Sequence, residues 1–341
     1  MQRSARSLVA VGRVLIRSIL DRAMAILSTS RFLVVRLVVL PVVAFLPVGL
    51  VFRFARWRGR RRFDRLPPDL KARMRRDVVQ VCGELDEGRV EAILEESQEI
   101  ISCDEMDPYL FLRLGRRGSE RVIALDGLQH LETALQRGGG AILFSAHFGG
   151  GYAFLVALGS RGCRPCPVFA PIDRMPMAQR LVLRLRVALM RWTSNGESLF
   201  TGRASLGREI RARLSEGNPI VVLLDAWLDP HAKRAIQVEF LGRRCRLSYG
   251  VLDLVAMSGA PLLPFFVYYT GPHLRRAVIG QPVELVTHPD PLFAREMNLR
   301  RCLERIEEAV LRAPSHWMLW GYFENLLTLD PVSVEAPGAS R

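Results

Sequence analysis

The sequence predicts an α/β protein with a largely parallel central sheet flanked by helices. Three observations carry this reading. Apolar runs of strand length recur at residues 141–144, 166–171, 219–224 and 260–269. Helix-length segments with apolar residues three and four apart alternate with them, at 128–137, 175–192, 207–216 and 249–258. Such alternation builds parallel strands with helices on both faces. The third observation is the stretch 138–151, Gly-Gly-Gly-Ala-Ile-Leu-Phe-Ser-Ala-His-Phe-Gly-Gly-Gly, which reads as strand, tight turn and helix.

The remaining elements follow in chain order. Residues 66–69, Leu-Pro-Pro-Asp, punctuate the chain, and Asp69 is expected to cap the helix that begins there. Residues 70–101 read as two helices separated at Gly88, and Asp107-Pro108 as a break before a short element at 122–125. The run 219–224 is the strongest buried strand, and Asp225 closes it. A further strand is expected at 238–242 and a last helix at 295–313, with a frayed tail after Thr328. No internal repeat is present. Three parts follow: a basic hydrophobic segment over 1–65, an α/β domain over 66–327, and a flexible tail over 328–341.

A chain of 341 residues that is 49% apolar has ample material for a large core. Its formal net charge of +14 comes almost wholly from arginine, which suits phosphates, carboxylates or an anionic membrane surface. Zinc-finger spacing, an RNP-type aromatic motif and a helix-turn-helix signature are all lacking, so no nucleic-acid partner is expected. The six cysteines are scattered, and Cys163-Arg164-Pro165-Cys166 has no second pair or histidine cluster to complete a zinc site. Neither a metal nor a bound organic cofactor is implied.

The N-terminus alternates apolar residues with Arg3, Arg6, Arg13, Arg17, Arg22, Arg31 and Arg36. Residues 37–52 then carry no charge, and Arg53, Arg56, Arg58, Arg60, Arg61, Arg62 and Arg65 follow. Sixteen residues with two prolines fall short of the roughly 20 that span a bilayer. An arginine cluster in place of small residues also argues against a cleaved signal peptide. With basic flanks on both sides, the segment reads as a tilted or re-entrant helix anchored on the cytoplasmic leaflet of an anionic membrane.

His147 sits at the carboxyl end of its strand, where open α/β sheets place their ligands. Gly149 and Gly150 after it let a substrate approach backbone N–H groups at the mouth of the next helix, a site for a developing oxyanion. A buried histidine in a tight turn fits the same pattern.

Six segments in order carry a family likeness: the basic hydrophobic N-terminus; His147-Phe148-Gly149; the strand ending in Asp225; Val-Glu-Phe-Leu-Gly at 238–242; Ser-Gly-Ala-Pro-Leu-Leu-Pro at 258–264; and Ala-Pro-Ser-His-Trp-Met-Leu-Trp at 313–320. Over about 30–325 the chain resembles the late acyltransferases of lipid A biosynthesis, within the lysophospholipid acyltransferase superfamily. The resemblance implies an enzyme at the cytoplasmic face of the inner membrane. It would move an acyl chain from acyl-carrier protein or acyl-CoA to a hydroxyl, less often an amine, of a lipid or glycolipid. The family signature is a histidine followed, after four residues, by Asp or Glu. Here the histidine is His147 and the acidic position holds Tyr152.

That departure touches the chemistry. A carboxylate sets the tautomer of a catalytic imidazole and stabilises its charged form, and a tyrosine brings no charge at neutral pH. Three readings stay open. Another carboxylate orients His147, Asp225 before Asp173 or Asp229; or His147 works without one; or catalysis is lost and the chain binds lipid or acyl chains within a biosynthetic complex. A carboxylate oxygen within about 3.2 Å of a ring nitrogen separates them. The resemblance also places basic residues near the acceptor, which selects Arg184 and Arg191 on the helix that also carries Arg186. Arg243, Arg244 and Arg246 are expected at a strand edge, within reach of phosphate or an acidic carrier. His231 reads as a surface turn residue, and His316 and Trp317 as seats for the closing segment.

Overall fold

The apolar runs pair into one sheet. The computed structural model describes residues 29–326, apart from residue 174 and residues 227–233. Asp229, His231, the arginines before position 29 and the tail after 326 lie outside the described residues. The strands are β1 (Ile123–Asp126), β2 (Ala141–Ser145), β3 (Cys166–Phe169), β4 (Leu199–Phe200), β5 (Pro219–Leu223), β6 (Ala235–Phe240), β7 (Arg243–Ser248), β8 (Leu262–Tyr269) and β9 (Arg275–Ile279). Seven of them form a sheet in the order β1-β9-β8-β2-β5-β3-β4, parallel except between β8 and β9. Leu143 at the centre of β2 lies beside Val221 and Leu263, and every residue of β2 is buried. A strand covered on both faces must be apolar throughout. Ile142 and Phe144 enter one core, and Ala141 and Leu143 the other.

Sequence reasoning missed β4, β7 and β9. In β7 and β9 arginines interrupt the apolar pattern: Cys245 and Leu247 point inward along β7, and Ala277 and Ile279 along β9. β6 and β7 form a separate antiparallel hairpin, turned at Leu241 and Gly242 with φ of 51° and 70°. Arg243, Arg244 and Arg246 thus belong to a hairpin beside the main sheet.

The helices correct several boundaries. After α1 (residues 29–43, with a π-turn at Val35–Val39) and α2 (Val48–Asp64) come α3 (Pro68–Cys82) and α4 (Glu87–Ser119). The break between the last two falls at Gly83, where φ is 81°, and Asp86 caps α4 through the Arg89 N–H, so Gly88 lies in the first turn. Asp69 does not cap α3; Pro67 occupies that position. Asp107-Pro108 does not end the helix either, because the fold gives the carbonyl that Pro108 leaves unbonded another donor. The remaining helices are α5 (Leu128–Gln136), α6 (Gly151–Ser160), α7 (Met177–Ser194), α8 (Leu206–Ser215), α9 (Gly250–Ser258) and α10 (Pro291–Arg312).

The single anchoring helix expected over 37–52 is instead broken at residues 44–47, ahead of Pro47. Among the described residues no helix is long and apolar enough to cross a membrane. Leu40, Ala44, Val51, Phe52 and Ala55 face inward and share a core with β8 and β9. Of the nine flanking arginines among the described residues, five pair with acids of one later helix. Arg36, Arg58 and Arg62 meet Glu105, and Arg56 and Arg60 meet Glu99, both on α4.

Gly59 makes this seam possible: a Cβ there would stand 2.5 Å from the Glu99 Cα, so α2 and α4 touch backbone to backbone. Gly59→Ala must push the helices apart and is expected to destabilise the chain by about 1–3 kcal/mol, read from denaturant unfolding in mild detergent.

Candidate active site

Strand β2 delivers His147 to the sheet edge, and the neighbouring strand β5 delivers Asp225 just beyond its own end. The two meet directly. His147 Nδ1 lies 2.8 Å from Asp225 Oδ1, and the backbone N–H of His147 donates to both carboxylate oxygens, at 3.0 and 2.9 Å. Asp225 is fully buried, whereas the His147 side chain is 39% exposed. An ionised carboxylate only accepts hydrogen bonds, so Nδ1 carries the proton and Nε2 is the unprotonated nitrogen of the neutral ring. Burial works against the charged imidazolium, but the charge of Asp225 and its hydrogen bond outweigh burial, with Asp104 adding to them. The His147 pKa is raised as a result.

Asp173, the less favoured acid, is exposed on the surface and pairs at 3.7 Å with Arg184, itself 60% exposed. Arg191 is exposed as well. These two selected arginines therefore sit outside the site. They lie seven residues apart on the outer face of α7, while Leu183, Arg186, Val187 and Met190, spaced by three and four, line a pocket of about 300 Å³ beside His147. Helical periodicity offered the signal for Arg186, but nothing in the sequence said which face turned inward.

Pro108 explains how Arg186 is held. Lacking an N–H, it cannot bond the carbonyl four residues back, that of Asp104. Arg186 Nη1 donates to that carbonyl at 3.1 Å, and Nη2 donates to the Asp104 carboxylate at 2.5 Å. The Arg186 guanidinium also lies 5.4 Å over the Tyr152 ring, whose other contacts are Phe111, stacked at 6.2 Å, and the Thr193 hydroxyl at 3.0 Å. Thr193 gives its own hydrogen to Leu189 O, so Tyr152 donates to Thr193. Tyr152 lines the pocket but its hydroxyl bonds away from His147, and burial first of all pushes its pKa up, keeping it neutral.

The glycine positions divide. Gly149, with φ of 66°, lies so close to β8 that a Cβ would fall 1.9 Å from the Val267 carbonyl oxygen. Its N–H is engaged by the His316 carbonyl at 2.9 Å, so it is not the expected oxyanion donor. A Cβ on Gly150 would stand 2.9 Å from Arg275 Nη1. That guanidinium forms a fully buried bidentate pair with Asp107, at 2.6 and 3.0 Å, beneath the loop. The N–H groups of Gly151, Tyr152 and Ala153 open α6 without partners in their own helix, and Gly151 and Tyr152 line the pocket. Among the described residues no His, Cys, Asp or Glu group is placed to hold a metal ion, and all six cysteines are free thiols.

The bacterial lipid A biosynthesis acyltransferase family matches residues 22–321. The chain belongs to that family. It is an acyltransferase. A search of curated proteins finds no match. Among solved structures, the crystal structure of the 1-acyl-sn-glycerophosphate (LPA) acyltransferase PlsC from Thermotoga maritima is similar at 13% identity and a TM-score of 0.31, covering 70% of this chain and 95% of that one.

In this acyltransferase the acid that meets the histidine comes from β5, and the motif position is filled by an aromatic floor. Tyr152→Phe is accordingly expected to leave kcat within about threefold of wild type, at a stability cost of about 1 kcal/mol for one buried hydrogen bond. Acyl-transfer kinetics beside a thermal melt test this, and a loss of kcat comparable to removal of His147 would contradict it.

Proposed function

We propose that this acyltransferase moves a fatty acyl group from acyl-carrier protein or acyl-CoA to a hydroxyl of a lipid or glycolipid, with His147 as general base. The observation that carries the reading is the 2.8 Å contact between His147 Nδ1 and the buried Asp225, beside a pocket walled by Leu155, Val168, Phe169, Val187 and Met190. The apolar walls suit an acyl chain, each buried methylene contributing about 0.8 kcal/mol. The acceptor oxygen attacks the thioester carbonyl while Nε2 takes the hydroxyl proton. The tetrahedral oxyanion meets the N–H groups that open α6, then collapses with cleavage of the C–S bond. The thiolate leaves with the proton held by the imidazolium. The engaged carboxylate favours this reading over a relative that only binds lipid.

Transfer from radiolabelled acyl-carrier protein to a lipid extract tests it. His147→Ala is expected to abolish transfer, and Asp225→Asn to lower kcat by about 10²- to 10⁴-fold. Because the His147 pKa is raised, the free base forms above the ordinary imidazole value of about 6.5, and the acid limb of kcat/KM should lie above that pH. Transfer by His147→Ala at the wild-type rate would overturn the assignment.

The same reading seats the protein on the cytoplasmic face of the inner membrane. Val34, Val38 and Val42 of α1 are exposed at four-residue spacing, followed by Phe45, Leu46, Leu50 and Trp57. Arg53 and Arg61 share this face, Arg61 lying 5.8 Å over the Trp57 ring. An apolar stripe edged by cations suits the interface of an anionic bilayer. Binding to vesicles containing phosphatidylglycerol is expected to exceed binding to neutral vesicles and to weaken with salt. Phe45→Asp with Leu50→Asp should abolish it; unchanged binding would remove the stripe from the account.

A further inference from the structure

Asp225 holds His147, and the chain's far end holds Asp225. A buried carboxylate needs donors on both oxygens. Oδ1 faces the imidazole, and both oxygens share the His147 backbone N–H. Oδ2 also receives the indole Nε1–H of Trp317, at 2.9 Å. That indole is fully buried and held edge-on by Phe240, Trp320 and Phe323, at interplanar angles of 85°, 86° and 87°. Its main chain is tied as well. The Ser97 hydroxyl donates to the Trp317 carbonyl at 3.2 Å, and Trp317 bridges Phe148 as a short antiparallel pair. The Gly149 N–H donates to His316 O and the Met318 N–H to His147 O, both at 2.9 Å. One strap therefore grips the backbone of the histidine loop and the side chain of the acid.

We propose that Trp317 is a positioning residue for acyl transfer, its indole N–H turning the Asp225 carboxylate so that Oδ1 faces His147 Nδ1. This rests on the reading of His147 as general base. The other charged side chains lining the pocket, Asp104 and Arg186, bond to one another. Among the described residues, Trp317 is the donor outside His147 that meets the Asp225 carboxylate. Without it, Oδ2 keeps only a shared backbone N–H and the carboxylate is free to rotate.

The test uses the full chain in detergent with Trp317 replaced by 3-benzothienylalanine, in which sulfur takes the place of the N–H at nearly the same size. Trp317→Phe is a second variant, and a thermal melt reports folding. The expected result is a fall in kcat of about 10- to 100-fold with KM for acyl-carrier protein within about twofold, the loss expected for one hydrogen bond to a charged group. The acid limb of kcat/KM should move to higher pH by about one unit, because a carboxylate with one donor fewer binds the shared proton more readily. The downfield Nδ1 proton resonance of His147 should broaden or vanish, a readout independent of the acceptor used. Folded variants that keep wild-type kcat, pH limb and resonance overturn the proposal, as does a change confined to KM. His147→Ala measured alongside separates the two levels: if it transfers like wild type, the base assignment fails, and if only the Trp317 variants do, the positioning role alone fails.

Discussion

The site depends on one buried carboxylate. Asp225 lies at the end of β5 with no exposure to solvent and accepts from the His147 ring, the His147 backbone and the Trp317 indole. A buried charge is tolerated only when its hydrogen-bonding capacity is met, and removing a partner from such a group typically costs about 3–5 kcal/mol. The network thus constrains the ends of two neighbouring parallel strands and a strap 92 residues further along the chain. Geometry and stability rest on the same atoms.

A second constraint acts from the helical side. Pro108 removes one rung from α4, and Arg186 uses the freed Asp104 carbonyl. Below it, Arg275 and Asp107 form a fully buried pair, with burial raising the Asp107 carboxyl and the Arg275 charge pulling it back. Phe52, Phe111 and Tyr269 surround that guanidinium at 5.2–5.7 Å. The glycine-rich loop after His147 therefore lies over a rigid ionic floor, and Gly150 has no room for a side chain. His316 closes the other side. Burial lowers its pKa to about 4, so it stays neutral and accepts the Tyr269 N–H at 2.8 Å.

The arginine excess serves two ends that composition cannot separate. Arg56, Arg58, Arg60 and Arg62 join α2 to the acidic face of α4, while Arg53 and Arg61 stay on the outer face beside Trp57. Position on the helix does not sort them: Arg56, Arg58, Arg60 and Arg62 follow at two-residue steps and all reach Glu99 or Glu105, so the carboxylate within reach of each long side chain decides which are structural.

The sequence by itself determined the class of fold, the main strands β2, β3, β5 and β8, and His147 at a strand end. Those readings depend on local periodicity and on glycine chemistry, which act within a few residues. It also reached Asp225, as the acid closing the strongest strand. What it left undecided were distances and directions. β7 and β9 stayed hidden because arginines interrupt both, Arg244 and Arg246 flanking inward Cys245 and Arg275 itself turning inward beside Ala277, and α7 offered four arginines with no sign of which faced the pocket. Only the tertiary structure set Asp225 at 2.8 Å from His147, occupied the Gly149 N–H, chose Arg186 over Arg184 and Arg191, and brought Trp317 onto Asp225. Each of these joins residues far apart in the chain, and such contacts follow from packing, which no local pattern records.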